Sequence, residues 1–382
     1  VVLLDEPTNH LDLRYRVETL DLIRDLAENH GVAVGVVLHD LDHAARAADT
    51  VLLMSAGRVH AAGRPADVLT VRAAVGAVVA HARDRGLAQV KWEGWTADPA
   101  DAAALGFVPM QAPPGTEPRT GYVRWLAGGP GGAVAEPPYY RQSTNFTCGA
   151  VTALIAQAQA GAVPPPSLDR PAELTLWRAA TNFPACEPVG LGVAVRRAWP
   201  TSPVTVFLDT DRPVLLDSYA GDEREWRAVL QRASRTDAAD AGVPLDPRRL
   251  SLPGVRALLA DGARVLLLLS LEAMQGFAVP HWVLCHAAVP GALVLEDPWT
   301  NDAAGDTWLD AHLLPVPDPA LDAMSVMEGG RYRAAVAIGP PDRPGEPRPV
   351  TSAPAPRRSR GQPSCSARPT TIPSGPRTKQ SR

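Results

Sequence analysis

Val1 to Leu4 is an unbroken apolar run closed by Asp5 and Glu6, the pattern of a buried strand that delivers carboxylates at its end. Behind it Val17, Leu20, Ile23 and Ala27 recur at helical spacing until Gly31 stops the pattern, and Val32 to Leu38 predicts a second buried strand ending at His39. Further on, Val151, Leu154 and Ile155 place an apolar helix directly after Thr147-Cys148-Gly149. Ser251 through Leu259 predicts a helix closed by Gly262, feeding a core strand from Arg264 to Ser270. Trp282 to Ala288, the Pro290-Gly291 turn and Ala292 to Glu296 read as a β-hairpin, with His281 and Asp297 at its two open ends.

Breaks in this patterning divide the chain. Residues 79–135 carry Pro113-Pro114-Gly115 and Gly128-Gly129-Pro130-Gly131-Gly132, and are expected to be a linker with local structure around Lys91-Trp92-Glu93-Gly94-Trp95. From 341 the chain is Pro-, Ser- and Arg-rich with almost no apolar residues, and disorder is expected to the end at 382. The expected organisation is therefore a module at 1–78, a linker at 79–135, a second module at 136–340 that folds on its own, and a tail at 341–382.

Composition narrows the function classes. A chain of 382 residues has room for about two or three domains. Its formal charge of −4 gives no reason to expect nucleic acid or an anionic membrane as partner. The four cysteines, at 148, 186, 285 and 365, make no disulfide framework, and a reducing cytoplasm suits a free thiol. No apolar run reaches the length of a membrane span, and the first residues do not read as a signal peptide.

The chemistry concentrates around Cys148. Gln142 precedes it by six residues, His281 and Asp297 follow at long range, and these types are the parts of a thiol hydrolase: nucleophile, oxyanion donor, base, and a group that orients the base. The start of a helix favours a thiolate there, and Thr147 is expected to cap that helix. The turn lies near the midpoint of His281 and Asp297, so the two are expected to meet across the strand pair. His286, five residues from His281, is expected on the opposite face as a bystander. No metal site is expected.

At these residues the chain resembles a known family. Tyr139-Tyr140-Arg141-Gln142-Ser143-Thr144-Asn145-Phe146-Thr147-Cys148-Gly149, then Pro280-His281-Trp282-Val283 and Glu296-Asp297-Pro298-Trp299, resemble the papain-like peptidases that process double-glycine leaders of bacteriocins. A bacterial branch of that family is closer still, through Leu176 to Thr181, Ala185 to Leu191 and Gly330 to Val336. The resemblance covers 136–340 and implies a papain-like α+β fold, with Cys148 as nucleophile, Gln142 in the oxyanion hole, His281 as base, Asp297 orienting it, and no cofactor.

The first module resembles the C-terminal part of an ATP-binding-cassette ATPase of the iron–siderophore importer type, an α/β P-loop core in part. Asp5 and Glu6 match its Walker B pair, Asp12 its D-loop aspartate, and His39 its switch histidine. A complete parent of this type would bind Mg-ATP and dock a membrane permease. A phosphate-cradling loop needs a Lys preceded by Gly, and the two lysines here, Lys91 and Lys379, follow Val90 and Thr378. ATP hydrolysis by this chain alone is therefore not expected, and the opening on the Walker B strand suggests N-terminal truncation.

Three functional readings follow. The first is a cytoplasmic cysteine peptidase-like hydrolase of a peptide or amide substrate, carrying an ATPase fragment. The second is the ATP-binding subunit of an importer seen as a fragment, membrane-associated where it docks a permease. The third is a non-catalytic peptide-binding module.

Overall fold

The strand and hairpin read from 264–296 form the centre of a seven-stranded sheet in the computed structural model, which describes residues 1–9, 11, 13–38, 41–55, 57–68, 71–94, 99–113, 121–126, 134–180 and 185–340. All of these fall in one compact unit, Val1–Asp342. Asp12, His39, Cys365 and the tail lie outside the described residues.

In chain order, the N-terminal part contains β1 (Val2–Asp5), α1 (Leu13–Glu28), β2 (Val34–Val37), α2 (Leu41–Ala47), the hairpin β3 (Val51–Ser55) and β4 (Arg58–Gly63), and the helices α3 (Pro65–Val68) and α4 (Val71–Asp84). β1 and β2 run parallel, with Asp5 beside Val37, and α1 makes the crossover that parallel strands require. Leu20 and Ile23 on α1 are buried as their spacing predicts, whereas Val17 is 44% and Leu3 82% exposed. The apolar faces of this βαβ unit are thus only half covered.

The stretch expected to be a linker is more than one. It holds β5 (Gln89–Glu93), α5 (Pro99–Ala104), β6 (Val108–Met110) and β7 (Gly121–Trp125), and its strands form an antiparallel sheet in the order β5-β7-β6. Trp92 packs edge-on against Phe107, ring centres 5.8 Å apart, in a core with Val75, Val79 and Tyr122. These strands are short and separated by Pro- and Gly-rich loops, which is why composition read them as linker.

The remaining elements are α6 (Cys148–Ala160), α7 (Arg170–Ala180), α8 (Pro188–Ala198), β8 (Val204–Leu208), α9 (Gly221–Asp240), β9 (Leu245–Asp246), α10 (Leu252–Ala260), β10 (Arg264–Ser270), α11 (Glu272–Gln275), β11 (Pro280–Val289), β12 (Ala292–Glu296), α12 (Trp308–Ala311), β13 (Leu314–Pro317), α13 (Asp318–Met324) and β14 (Ala334–Ile338). The sheet runs β13-β12-β11-β10-β14-β8-β9, antiparallel except for β8 with β9. One core packs α6 and α8 against Leu266, Leu268, Trp282 and Leu284; the other packs α10 and α13 against Leu267, Leu269, Val283 and Cys285. The alternation of β10 and β11 between the two cores is the period-two rule at work. This is the α+β architecture expected for 136–340.

A third core joins the small sheet to the large one. Met110 and Val123 pack with Tyr139, Val294, Trp308, Leu309 and Leu313. Gln89 Nε2 donates to the Leu313 carbonyl at 2.8 Å, and the Lys91 ammonium donates to the carbonyls of Leu309 and His312. Burial, only partly offset by Glu296 and Asp310, pushes Lys91 down to about 8.

Beneath this junction lies a buried ionic cluster. Glu296 accepts from Leu313 N–H at 3.0 Å and from His312 Nδ1 at 2.5 Å, and has His286 Nε2 at 3.1 Å; His312 Nε2 reaches Glu136 at 2.9 Å. Burial opposes the charge on His312, but Glu296 and Glu136 overcome it and raise the imidazole to about 9. Burial likewise opposes the charge on Glu296, yet His312 and His286 hold it below its ordinary value. A raised histidine stabilises the fold below its unfolded pKa of about 6.5 and loses that contribution as pH climbs toward its folded value. A depressed carboxylate loses its contribution only in acid, below about 4.5. Lys91 acts oppositely, but only above about 8. The melting temperature is therefore expected to be highest near pH 5–6.5 and to fall by several degrees by pH 8, a slope that His312→Gln flattens. A melting temperature that rises from pH 6 to pH 8 would show the His312 imidazole to be neutral in the fold.

Candidate active site

Cys148 is the first residue of α6 and opens onto a cleft of about 780 Å³. Asn145 and Phe146 line the cleft beside it, with Glu187 at the N-cap of α8, Gln231 of α9, Val279 just before β11 and Pro280 at its start. The helix end approaches β11 closely. A side chain at Gly149 would meet Trp282 at 3.0 Å, Cys186 at 3.1 Å and Leu191 at 3.2 Å, so glycine is what lets the first turn of α6 sit against the strand that carries His281. Trp282 fixes the same contact by donating its indole N–H to the Cys186 carbonyl at 3.0 Å.

Thr147 does not cap α6 as expected. It occupies the N-cap position without a side-chain bond to the helix, and its hydroxyl instead meets Thr144 Oγ1 at 2.9 Å and the carboxylate of Glu173. The hydroxyl is oriented to donate to the buried carboxylate, and its oxygen accepts from none of the helix's first N–H groups. Sequence reading passed over Glu173, whose only signal is an acid at the start of an amphipathic helix.

His281 and Asp297 are both buried, at 4% exposure each. His281 Nε2–H donates to Asp297 Oδ1 at 2.7 Å, which leaves Nδ1 as the nitrogen available to Cys148, the other group that acts on the ring's charge. Burial works against a charged imidazole, but Asp297 and Cys148 together raise His281 to about 10. Asp297 is itself held: Oδ1 accepts from Trp299 N–H at 2.9 Å, its N–H donates to Ala311 O at 3.0 Å, and its carbonyl accepts from the Tyr139 hydroxyl at 3.0 Å.

The hairpin brings these two together by a device the spacing does not reveal. Near the turn, Val289 pairs with Ala292 and Ala287 with Val294, a register that continued unchanged would set Leu284 opposite Asp297. A bulge between Cys285 and Ala287 shifts the pairing by one, so that Leu284 faces Glu296, a register that carried one residue further sets Val283 opposite Asp297. Val283 shares a strand face with His281, and the shift therefore turns Asp297 to the histidine's side. The extra residue is His286, which engages Glu296 and, at 3.4 Å, Gln159, away from the thiol.

Gln142 is tied on both sides. Its N–H donates to Pro298 O at 2.8 Å, next to Asp297, and Nε2 donates to Thr144 O at 2.7 Å, on the segment leading to Cys148. One amide hydrogen remains after that anchor. Burial raises the other two described thiols, Cys186 well above the ordinary range and Cys285 to about 12. Among the described residues no group of three or more His, Cys, Asp or Glu is arranged to hold a metal ion, and no helix is long and apolar enough to cross a membrane. In the N-terminal part Asp5 ends β1 and Glu6 follows, bonded to the Asn9 amide; their expected companions Asp12 and His39 lie outside the described residues.

Residues 137–339 match the family described as Peptidase_C39 like. The chain belongs to that family. A C39-like peptidase from Bacillus anthracis, known from its crystal structure, is similar at 10% identity and a TM-score of 0.30 over 54% of this chain and 98% of its own. The peptidase-like part is preceded by a different relationship over the N-terminal ~90 residues. The cobalamin import ATP-binding protein BtuD of Halobacterium salinarum is 48% identical over 87 residues, 22% of either chain. The achromobactin transport ATP-binding protein CbrD of Dickeya dadantii and the hemin import ATP-binding protein HmuV of Bordetella pertussis are each 48% identical over 69 residues, 18% of this chain and 26% of theirs. The chain thus spans about a quarter of the length of the curated relatives it matches.

Proposed function

We propose that the peptidase-like part is a cysteine hydrolase of peptide or amide bonds, and the observation that carries this is the His281 ring set between the Asp297 carboxylate and the Cys148 thiol. In this reading Asp297 fixes the ring so that Nδ1 faces sulfur. An imidazolium there stabilises the thiolate, which attacks the carbonyl carbon; the amine leaves with the proton from His281, and water hydrolyses the thioester with His281 as base. The Cys148 N–H and the spare Gln142 amide hydrogen stabilise the oxyanion of each tetrahedral intermediate. No cofactor takes part. The site is proposed to work in a cytoplasmic setting.

Brief alkylation with iodoacetamide at pH 6 tests the reading, on a Cys365→Ser background that leaves three thiols. Cys148 is expected to label at least about tenfold faster than Cys186 and Cys285, because it opens onto the cleft beside His281 while burial keeps the others protonated. His281→Ala should remove most of that preference. Even labelling that ignores His281→Ala would sink the hydrolase and leave a peptide-binding module in front.

The identity to importer subunits supports a second reading for residues 1–78 alone. In a complete parent, Asp5, Glu6, Asp12 and His39 would serve Mg-ATP binding and hydrolysis, and the part would dock a membrane permease.

A further inference from the structure

We propose that Glu173 is the positioning residue of the oxyanion site, acting through the Gln142 loop and through Thr147; this rests on the hydrolase reading above. Glu173 is fully buried on α7, and a carboxylate is tolerated there only where donors surround it. All three side-chain partners come from one loop: the Tyr140 hydroxyl at 2.9 Å, the Ser143 N–H at 2.9 Å and the Thr147 hydroxyl. They bracket Gln142, two residues before it, one after, and at the foot of α6. Capping α7 is not the purpose, because Asp169 already does so by accepting from Ala172 N–H at 2.9 Å.

Two consequences for the oxyanion follow. Pinned at 140, 143 and 147, the loop fixes Gln142 by its backbone N–H to Pro298 O and aims its side-chain amide by the bond to Thr144 O. Glu173 also holds the Thr147 hydroxyl, and so fixes the residue whose peptide bond carries the Cys148 N–H. That N–H is the second donor an oxyanion needs. Without Glu173 the Thr144–Thr147 turn loses its buried anchor, and both donors lose their fixed direction.

The test compares two reactions of one thiol. Iodoacetamide alkylates sulfur by displacement of iodide and develops no oxyanion. p-Nitrophenyl acetate acylates it: sulfur adds to the carbonyl, p-nitrophenolate departs with the electron pair of the broken C–O bond, and the intermediate carries an oxyanion. In the full chain, Glu173→Ala is expected to slow the Cys148-dependent nitrophenolate burst by about ten- to a hundredfold, while alkylation at pH 6 stays within about twofold. Glu173→Gln should recover the burst to within about threefold, since its oxygen still accepts from Ser143 and Thr147 and its amide can donate to the Tyr140 oxygen. Gln142→Ala should show the same split, and adding Glu173→Ala to it should cost little more, because both act on one element. Tyr140→Phe keeps the buried carboxylate and carries the test, with a smaller split, if Glu173→Ala does not fold. A parallel fall in both reactions, or an unchanged burst, overturns the role of Glu173 and leaves the hydrolase standing. No burst in the unaltered chain overturns the hydrolase, and this inference with it.

Discussion

His281→Ala is expected to lower kcat/KM on a quenched-fluorescence peptide library by about four orders of magnitude or more, down to the rate left by binding and the oxyanion site. In the proposed mechanism the ring does two jobs: it supports the thiolate and it delivers the proton to the leaving amine. Asp297→Ala should be milder by one to two orders of magnitude, the ratio seen when an orienting carboxylate and a base are removed separately from a triad. Asp297 touches no reacting atom; its 2.7 Å bond to Nε2 keeps Nδ1 aimed at sulfur. Retention of activity in His281→Ala would remove the imidazole from the mechanism.

A fragment of residues 136–340 is expected to be far less stable than one of residues 87–340, and to lose its cooperative unfolding transition at room temperature. Cutting at 136 strips Met110 and Val123 from Tyr139, Val294, Trp308, Leu309 and Leu313. Each large apolar side chain returned to water costs about 1.5–3 kcal/mol, and the uncovered set together rivals the roughly 5–15 kcal/mol that holds a whole domain folded. It also leaves the carbonyls of Leu309 and His312 without the Lys91 ammonium, above a cluster whose Glu296 adjoins Asp297. Urea titrations of the two fragments decide the matter, and equal midpoints would show the small sheet to be a passenger.

Periodicity was enough to find the main elements of the candidate site's scaffold. The helix begun at Cys148, the helix capped by Ser251, the strand Arg264–Ser270 and both arms of the hairpin lie where the apolar spacing puts them. Each is a local pattern with a local cause. What escaped is relational. Thr147 looks like a cap until its hydroxyl is seen held by a buried carboxylate from another helix. The small sheet hides in Pro- and Gly-rich sequence because its strands are short and its partner surface is more than a hundred residues away. Glu173 carries no signal of its own, since an acid in the first turn of a helix is ordinary. A turn near their midpoint brings His281 and Asp297 close, but the register at that turn, continued unbroken, would set them on opposite faces.

The bulge at His286 makes the number of residues between His281 and Asp297 a matter of odd and even. Strand faces alternate one residue at a time, so gaining or losing a single codon anywhere in this hairpin turns the carboxylate away from the imidazole unless a second bulge restores the count. Changes in pairs pass through the turn unnoticed. Length variation in this stretch of the gene is therefore filtered by parity before any side chain is weighed, and a substitution at His286 is the gentler lesion beside its deletion.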